Sequence, residues 1–127
     1  SDFSLSENLA GGIEELVRGF YARYGRPIFW TETSVTGSAK DRLRWLEDSL
    51  GLVYRLRSEG LPLVGYTWWP LFSLLDWAYR EGERPPEDCL WHMGMYDLEP
   101  DSRGGFFRTE SPVVGAFRAA TERTSGR

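Results

Sequence analysis

Cysteine and histidine are almost missing from this chain: Cys89 and His92 are the only ones among 127 residues. A lone cysteine excludes an internal disulfide and a cysteine zinc cluster, and a reducing, cytoplasmic setting is the expectation. Cys89 falls in a loop with no base beside it in sequence, so it does not read as a nucleophile. His92 has no Asp or second His at a ligand or catalytic interval, which leaves no metal site and makes it a hydrogen-bonded structural residue. Positive charge is not in excess either. Fifteen basic residues face nineteen acidic ones, for a net charge of −4, and no basic stripe interrupts the balance. Nucleic acid and anionic membrane are therefore not expected partners. No apolar run approaches the roughly 18 residues that a membrane span requires. The start, Ser1-Asp2-Phe3-Ser4, has neither the basic residues nor the apolar stretch of a secretion signal. Glycine-rich phosphate loops and dinucleotide fingerprints are lacking, so no cofactor is implied. With no internal repeat and no linker-like stretch, residues 1–127 read as a single domain.

What the chain does have is rings. Six Trp, six Tyr and seven Phe make up 15% of it. Aromatic side chains supply core area, and they also form the flat platforms on which sugar C–H faces stack; composition alone leaves both uses open.

Ile13, Leu16, Val17, Phe20, Tyr21 and Tyr24 recur at helical spacing as one continuous apolar face, ended by Gly25 with Pro27 beyond it. Pro27 to Thr31 is a short, almost wholly apolar run that opens with a proline, read as a strand buried on both faces in the parallel-sheet manner. Glu32 ends it. A second helix opens at Ser38, with Asp41 completing an acidic capping box. Its buried stripe is Leu43, Leu46, Leu50, Val53 and Tyr54, and Arg42, Arg44, Glu47, Asp48 and Arg57 form a solvated face. After Gly60 and Pro62, Leu63 to Trp68 is a second buried strand. This is a parallel βαβ unit with a helix in front, whose right-handed crossover brings both strand C-termini to one rim. Leu71 to Arg80 is an aromatic-rich excursion with a helical turn around Leu74 to Tyr79, and 81–88 is an exposed loop. His92 to Leu98 and Gly105 to Thr109 are short extended pieces around a turn. Ser111-Pro112 starts a last helix, with a tail expected to fray after Thr121.

In this order the segments resemble the C-terminal end of family 1 glycoside hydrolases, and more loosely the clan of barrel glycosidases with catalytic glutamates on strands four and seven. Pro27-Ile28-Phe29-Trp30-Thr31-Glu32-Thr33 is similar to the family's Thr-Glu-Asn strand. Asp41-Arg42-Leu43-Arg44-Trp45-Leu46 is similar to the helix after it. Gly65-Tyr66-Thr67-Trp68-Trp69-Pro70-Leu71, continuing to Asp76-Trp77, resembles the eighth strand and its sugar-binding loop, and His92-Met93-Gly94-Met95 resembles the Arg-Phe-Gly-Leu that follows. The resemblance implies an α/β fold, a partial TIM barrel of strands 7 and 8 with flanking helices. It implies that Glu32 is the nucleophile of a retaining glycosidase, that Trp69 lines the −1 subsite, and that Asp76 and Trp77 contact the non-reducing sugar. Thr33 for Asn, Asp76 for Glu and Pro70…Ser73-Leu74 for the family's polar stretch depart from the pattern.

A retaining glycosidase needs two carboxyl groups about 5–5.5 Å apart. The family's acid/base lies on the fourth strand, which is not in this chain, so the chain alone is expected to be inactive. Glu14, Glu15 and Glu47 read as surface charges. The expected partners are carbohydrate and either the remaining N-terminal barrel portion or further copies of the chain, because two strands leave open edges and an apolar face. A non-catalytic barrel piece is the alternative to an enzyme part.

Overall fold

In a computed structural model, which describes residues 3–125, the chain runs α1 (Phe3–Tyr24), β1 (Ile28–Thr33), α2 (Ala39–Ser58), β2 (Leu63–Trp68), β3 (Leu74–Leu75), β4 (Leu90–Trp91), β5 (Tyr96–Pro100), β6 (Phe106–Glu110) and α3 (Pro112–Ser125). Two 3-10 turns, Trp77–Glu81 and Pro86–Cys89, precede β4. This is an α/β arrangement of helices and short strands. Ser1 and Asp2 of the N-terminal stretch and the last two residues of the tail lie outside the described residues. No helix among the described residues is long and apolar enough to cross a membrane. The fold divides into two compact units, Ser1–Thr33 with Arg44–Thr67, and Ser34–Leu43 with Trp68–Arg127.

The first unit is built on α1, most of α2 and the β1–β2 pair. Gly25, at φ 60°, closes α1 with its N–H on the Tyr21 carbonyl at 2.8 Å; the left-handed conformation is the reason for glycine there. Val17, Leu52, Val53, Leu56 and Leu63 form the core, with Ile13, Ile28, Trp30, Leu61 and Tyr66 packed on it. The apolar face of α1 is only partly used. Val17 is buried, whereas Leu16, Phe20 and Tyr24 are 59%, 53% and 59% exposed, against the expectation of one buried face. The stripe is wider than the surface the core presents, so only its Ile13–Val17 flank is covered. On the flank beside α2, Glu14 binds Arg55 at 2.6 and 2.8 Å and Arg18 at 2.8 Å, and Arg18 also reaches Glu59.

β1 and β2 form a two-stranded sheet. The Ile28 N–H donates to the Pro62 carbonyl at 2.9 Å, so the strands begin side by side, as a parallel pair joined by a helix requires. The expected burial on both faces is not found: Phe29 and Val64 are 53% and 62% exposed. Within this unit the helical core packs against Ile28, Trp30 and Tyr66, and Phe29 and Val64 take no part in it. The Phe29 ring lies against Gly65, so close that a β-carbon at Gly65 would fall 2.1 Å from it. On the helix side Trp30 and Tyr66 meet edge to face at 5.5 Å, the Tyr66 hydroxyl bonds Ser49 Oγ at 2.7 Å, and Trp45 Nε1 donates to Thr33 Oγ1 at 2.9 Å.

In the second unit the capping box is realised: Ser38 N–H donates to Asp41 Oδ2 at 3.0 Å and Asp41 N–H to Ser38 Oγ at 3.2 Å. Arg42 is not on a solvated face. It is 1% exposed, with Nη1 on the Gly94 carbonyl at 2.7 Å and Nη2 on Asp97 Oδ2 at 2.9 Å. Helical spacing places Arg42 beside Leu46 and Ser49, residues on the inner side of α2, and only a partner distant in sequence makes a buried guanidinium tolerable there. Three consecutive carbonyls of the 92–94 segment tie this unit together. His92 accepts from Gly37 N–H at 3.0 Å, Met93 from Trp68 Nε1 at 3.2 Å, and Gly94 from Arg42. A β-carbon on Gly94 would meet the Phe72 backbone at 2.4 Å, which is why a glycine stands there.

The excursion after Pro70 is more ordered than its composition indicates. β3 pairs with β4 antiparallel, and β5 with β6, Tyr96 opposite Glu110 and Pro100 opposite Phe106. The helical turn lies at Trp77–Glu81, and part of the 81–88 loop forms the turn that buries Cys89 to 2% exposure. α3 starts at Pro112 behind Ser111, whose Oγ donates to the Met95 carbonyl at 2.6 Å and accepts from Val113 N–H at 3.3 Å. The helix persists past Thr121, because Thr124 Oγ1 donates to the Ala120 carbonyl at 2.8 Å and the turn continues to Ser125.

Candidate functional site

Glu32 lies near the C-terminal end of β1, where burial no longer alternates strictly. Along Ile28–Thr33 the burial pattern runs half-buried, exposed, half-buried, exposed, exposed, buried. Strict alternation would send Glu32 to the same side as Ile28 and Trp30. Glu32 is nevertheless exposed, and Thr33 is buried, with its Oγ1 accepting from Trp45 Nε1. Trp30 Nε1 donates to the Glu32 carbonyl at 3.0 Å and fixes the backbone at that point. Glu32 is thus a solvent-facing carboxylate at the C-terminal end of a strand in the first unit.

Trp69, Asp76 and Trp77 belong to the second unit. At the end of β2 the pair Trp68-Trp69 divides as alternation dictates: Trp68 is buried and Trp69 is 43% exposed. Trp69 is joined to Pro70 by a cis peptide bond. Asp76 caps the following 3-10 turn, its Oδ1 accepting from Ala78 N–H at 3.0 Å, while Arg84 Nη2 stands 3.5 Å from Oδ2. Trp77, next to it, is 84% exposed, an indole almost wholly offered to solvent.

His92 lies within reach of Ser73 and Asp97, which sequence spacing does not indicate. Ser73 Oγ is 2.9 Å from Nδ1 and Asp97 Oδ1 is 3.2 Å from the same nitrogen. A nucleophilic relay takes the serine proton at one ring nitrogen and is oriented by the acid at the other. Here both partners compete for Nδ1, so the trio does not have that geometry. Ser73 Oγ also accepts from Leu98 N–H at 3.1 Å, and Asp97 holds Arg42 through its other oxygen, so the cluster ties β5 to the 92–94 segment. Arg42 was hidden from sequence reasoning because it sits in a run of charges that reads as solvated. Among the described residues no three His, Cys, Asp or Glu side chains gather as a metal site.

Comparison with known proteins gives no matching family model and no matching curated protein. Solved structures do match. The β-glycosidase from the hyperthermophile Thermosphaera aggregans is 27% identical with a TM-score of 0.66, over 87% of this chain and 21% of that one. A β-glucosidase from Exiguobacterium marinum is 18% identical with a TM-score of 0.65, over 91% and 26%. The GH1 β-glucosidase from Exiguobacterium antarcticum B7 is 19% identical with a TM-score of 0.61, again over 91% and 26%. The chain therefore spans about a quarter of the length of the structures it matches. Over most of its own length it is similar in fold to part of the family 1 β-glucosidases.

Proposed function

We propose that this chain is the C-terminal, nucleophile-bearing part of a retaining β-glycosidase, the strand 7 and strand 8 segment of a (β/α)8 barrel. The observation that supports the reading is the exposed carboxylate of Glu32 at the C-terminal end of β1. A nucleophile must be ionised and must meet the anomeric carbon, and a strand-end carboxylate at a barrel's upper rim meets both needs. Trp69 supplies an accessible indole face for the sugar at the reacting subsite, and Asp76 and Trp77 engage the hydroxyls of the terminal sugar. The second carboxyl group, the acid/base, comes from barrel strands outside this chain, so the isolated chain binds carbohydrate without turning it over.

The test is complementation. A family 1 β-glucosidase truncated before its seventh strand is mixed with this chain and assayed on a panel of aryl β-glycosides. Turnover that appears only in the mixture and disappears with Glu32→Gln is the expected result. Turnover untouched by Glu32→Gln refutes the assignment of the nucleophile.

One observation favours a second reading, a non-catalytic barrel piece that associates with itself or only binds sugar. Asp76 already has one oxygen on Ala78 and the other near Arg84, which leaves less of it for a sugar hydroxyl. On that reading Asp76→Asn leaves glycoside binding unchanged while Trp69→Ala still weakens it, measured by tryptophan fluorescence titration. On the first reading both substitutions weaken binding.

A further inference from the structure

The exposed stripe of α1 is bordered by charge. A shallow groove along the helix is lined by Gly12, Glu15, Leu16, Gly19, Phe20 and Arg23. Leu16 and Phe20 stand in it more than half exposed, with Tyr24 beyond. Gly12 and Gly19 leave the helix backbone bare, with nothing within 4 Å of where a β-carbon would stand. Glu15 and Arg23 are exposed, and among the described residues neither has an ion-pair partner; Arg23 only stacks over the Tyr24 ring at 5.4 Å. Their neighbours Glu14 and Arg18, by contrast, are held by Arg55 and Glu59.

The positions of these charges specify an occupant. Glu15 lies four residues before Gly19 and Arg23 four residues after it. A second α1 laid antiparallel across Gly19 therefore brings Glu15 of one copy to Arg23 of the other, and the two-fold axis repeats the pair. A self-complementary patch is what an isologous dimer requires. Glycine at the crossing point allows close backbone approach, and Leu16 and Phe20 fill the flanks with apolar area. We propose that α1 is a homodimerisation helix, two copies of this chain pairing antiparallel about Gly19. The pairing does not depend on the glycosidase reading, since no residue of the sugar site takes part. A single-helix contact falls below the roughly 1,200 Å² of a standard stable interface, so the dimer is weak and concentration-dependent.

The experiment is sedimentation velocity on the full chain over a wide concentration series, with circular dichroism confirming that each variant is folded. Wild type should shift toward dimer as concentration rises. Glu15→Arg and Arg23→Glu each place like charges opposite one another and should each shift the midpoint to at least about tenfold higher concentration. The double variant Glu15→Arg/Arg23→Glu restores opposite charges and should recover dimerisation, as should an equimolar mixture of the two single variants. The proposal is overturned by a monomer at every concentration, by association indifferent to both charge reversals, or by association abolished by Phe29→Ser or Val64→Ser on the exposed sheet face but not by changes on α1. If a truncated glycosidase barrel, and not a second copy, is what competes for the groove, the dimer is likewise overturned.

Discussion

Arg42 and Arg44 lie on the same helix two residues apart, and their removal should have very different consequences. Arg44 is a third exposed and stands 3.6 Å from Asp48; a surface pair of that kind contributes about 0–1 kcal/mol. Arg42 has a side chain 2% exposed and holds Asp97 at 2.9 Å, the Gly94 carbonyl at 2.7 Å and the Ser38 carbonyl at 3.4 Å. Arg42→Met keeps the apolar stem but leaves the Asp97 carboxylate without its guanidinium, with only His92 Nδ1, 3.2 Å from the buried Oδ1, beside it. Breaking a buried pair from one side costs about 3–5 kcal/mol. Asp97 is 24% exposed, so water recovers part of its solvation, and the lower end, about 3 kcal/mol, is expected. In urea unfolding Arg42→Met should lower the midpoint strongly with an unchanged slope, and Arg44→Met should shift it by less than about 1 kcal/mol equivalent. Adding Asp97→Asn to Arg42→Met should restore part of the loss, because the stranded charge is then gone. Equal effects of the two arginine substitutions would refute the buried-network reasoning.

Two glycines separate backbone crowding from side-chain crowding. Gly94→Ala drives a β-carbon to 2.4 Å from the Phe72 carbonyl carbon and should cost about 1–3 kcal/mol or more in thermal or urea unfolding. Gly65→Ala meets only the half-exposed Phe29 ring, which can swing aside, and should cost less. Hydrogen bonds from Arg55 and then Arg18 hold the Glu14 carboxyl down to about 2. A depressed carboxylate stabilises the fold above its unfolded value and stops doing so as pH falls through the folded one. Acid titration by NMR should therefore find Glu14 still ionised well below its ordinary value, and Arg55→Gln should raise it part of the way back, with Arg18 still bound. Burial pushes the Tyr66 phenol up to about 12, against a smaller opposing pull from Ser49. A raised phenol leaves the fold intact below its unfolded value and costs stability as pH rises toward 12. Absorbance titration should show a phenol ionising at about 12, and Tyr66→Phe should remove that step.

What the sequence determined by itself is whatever local chemistry can enforce. Gly25 stops α1, Ser38 and Asp41 start α2, Ser111-Pro112 starts α3, and β2 covers Leu63–Trp68 as its apolar run indicates. These features are set by capping hydrogen bonds and by φ restrictions within a few residues, which no distant part of the chain can easily override. The ordered motifs around Glu32, Trp69 and Asp76 likewise carried the resemblance to glycosidases. Tertiary structure decided which apolar and charged surfaces would find a partner. Helical spacing shows that Leu16 and Val17 share a face, but only the arrangement of α2 and the sheet leaves one exposed and the other buried. The same holds for Arg42, which lies 55 positions before Asp97, and for Phe29, which stays 53% exposed in the middle of an apolar run. Periodicity reports which residues lie together on an element; burial depends on what the rest of the chain brings against them, and that is a long-range fact.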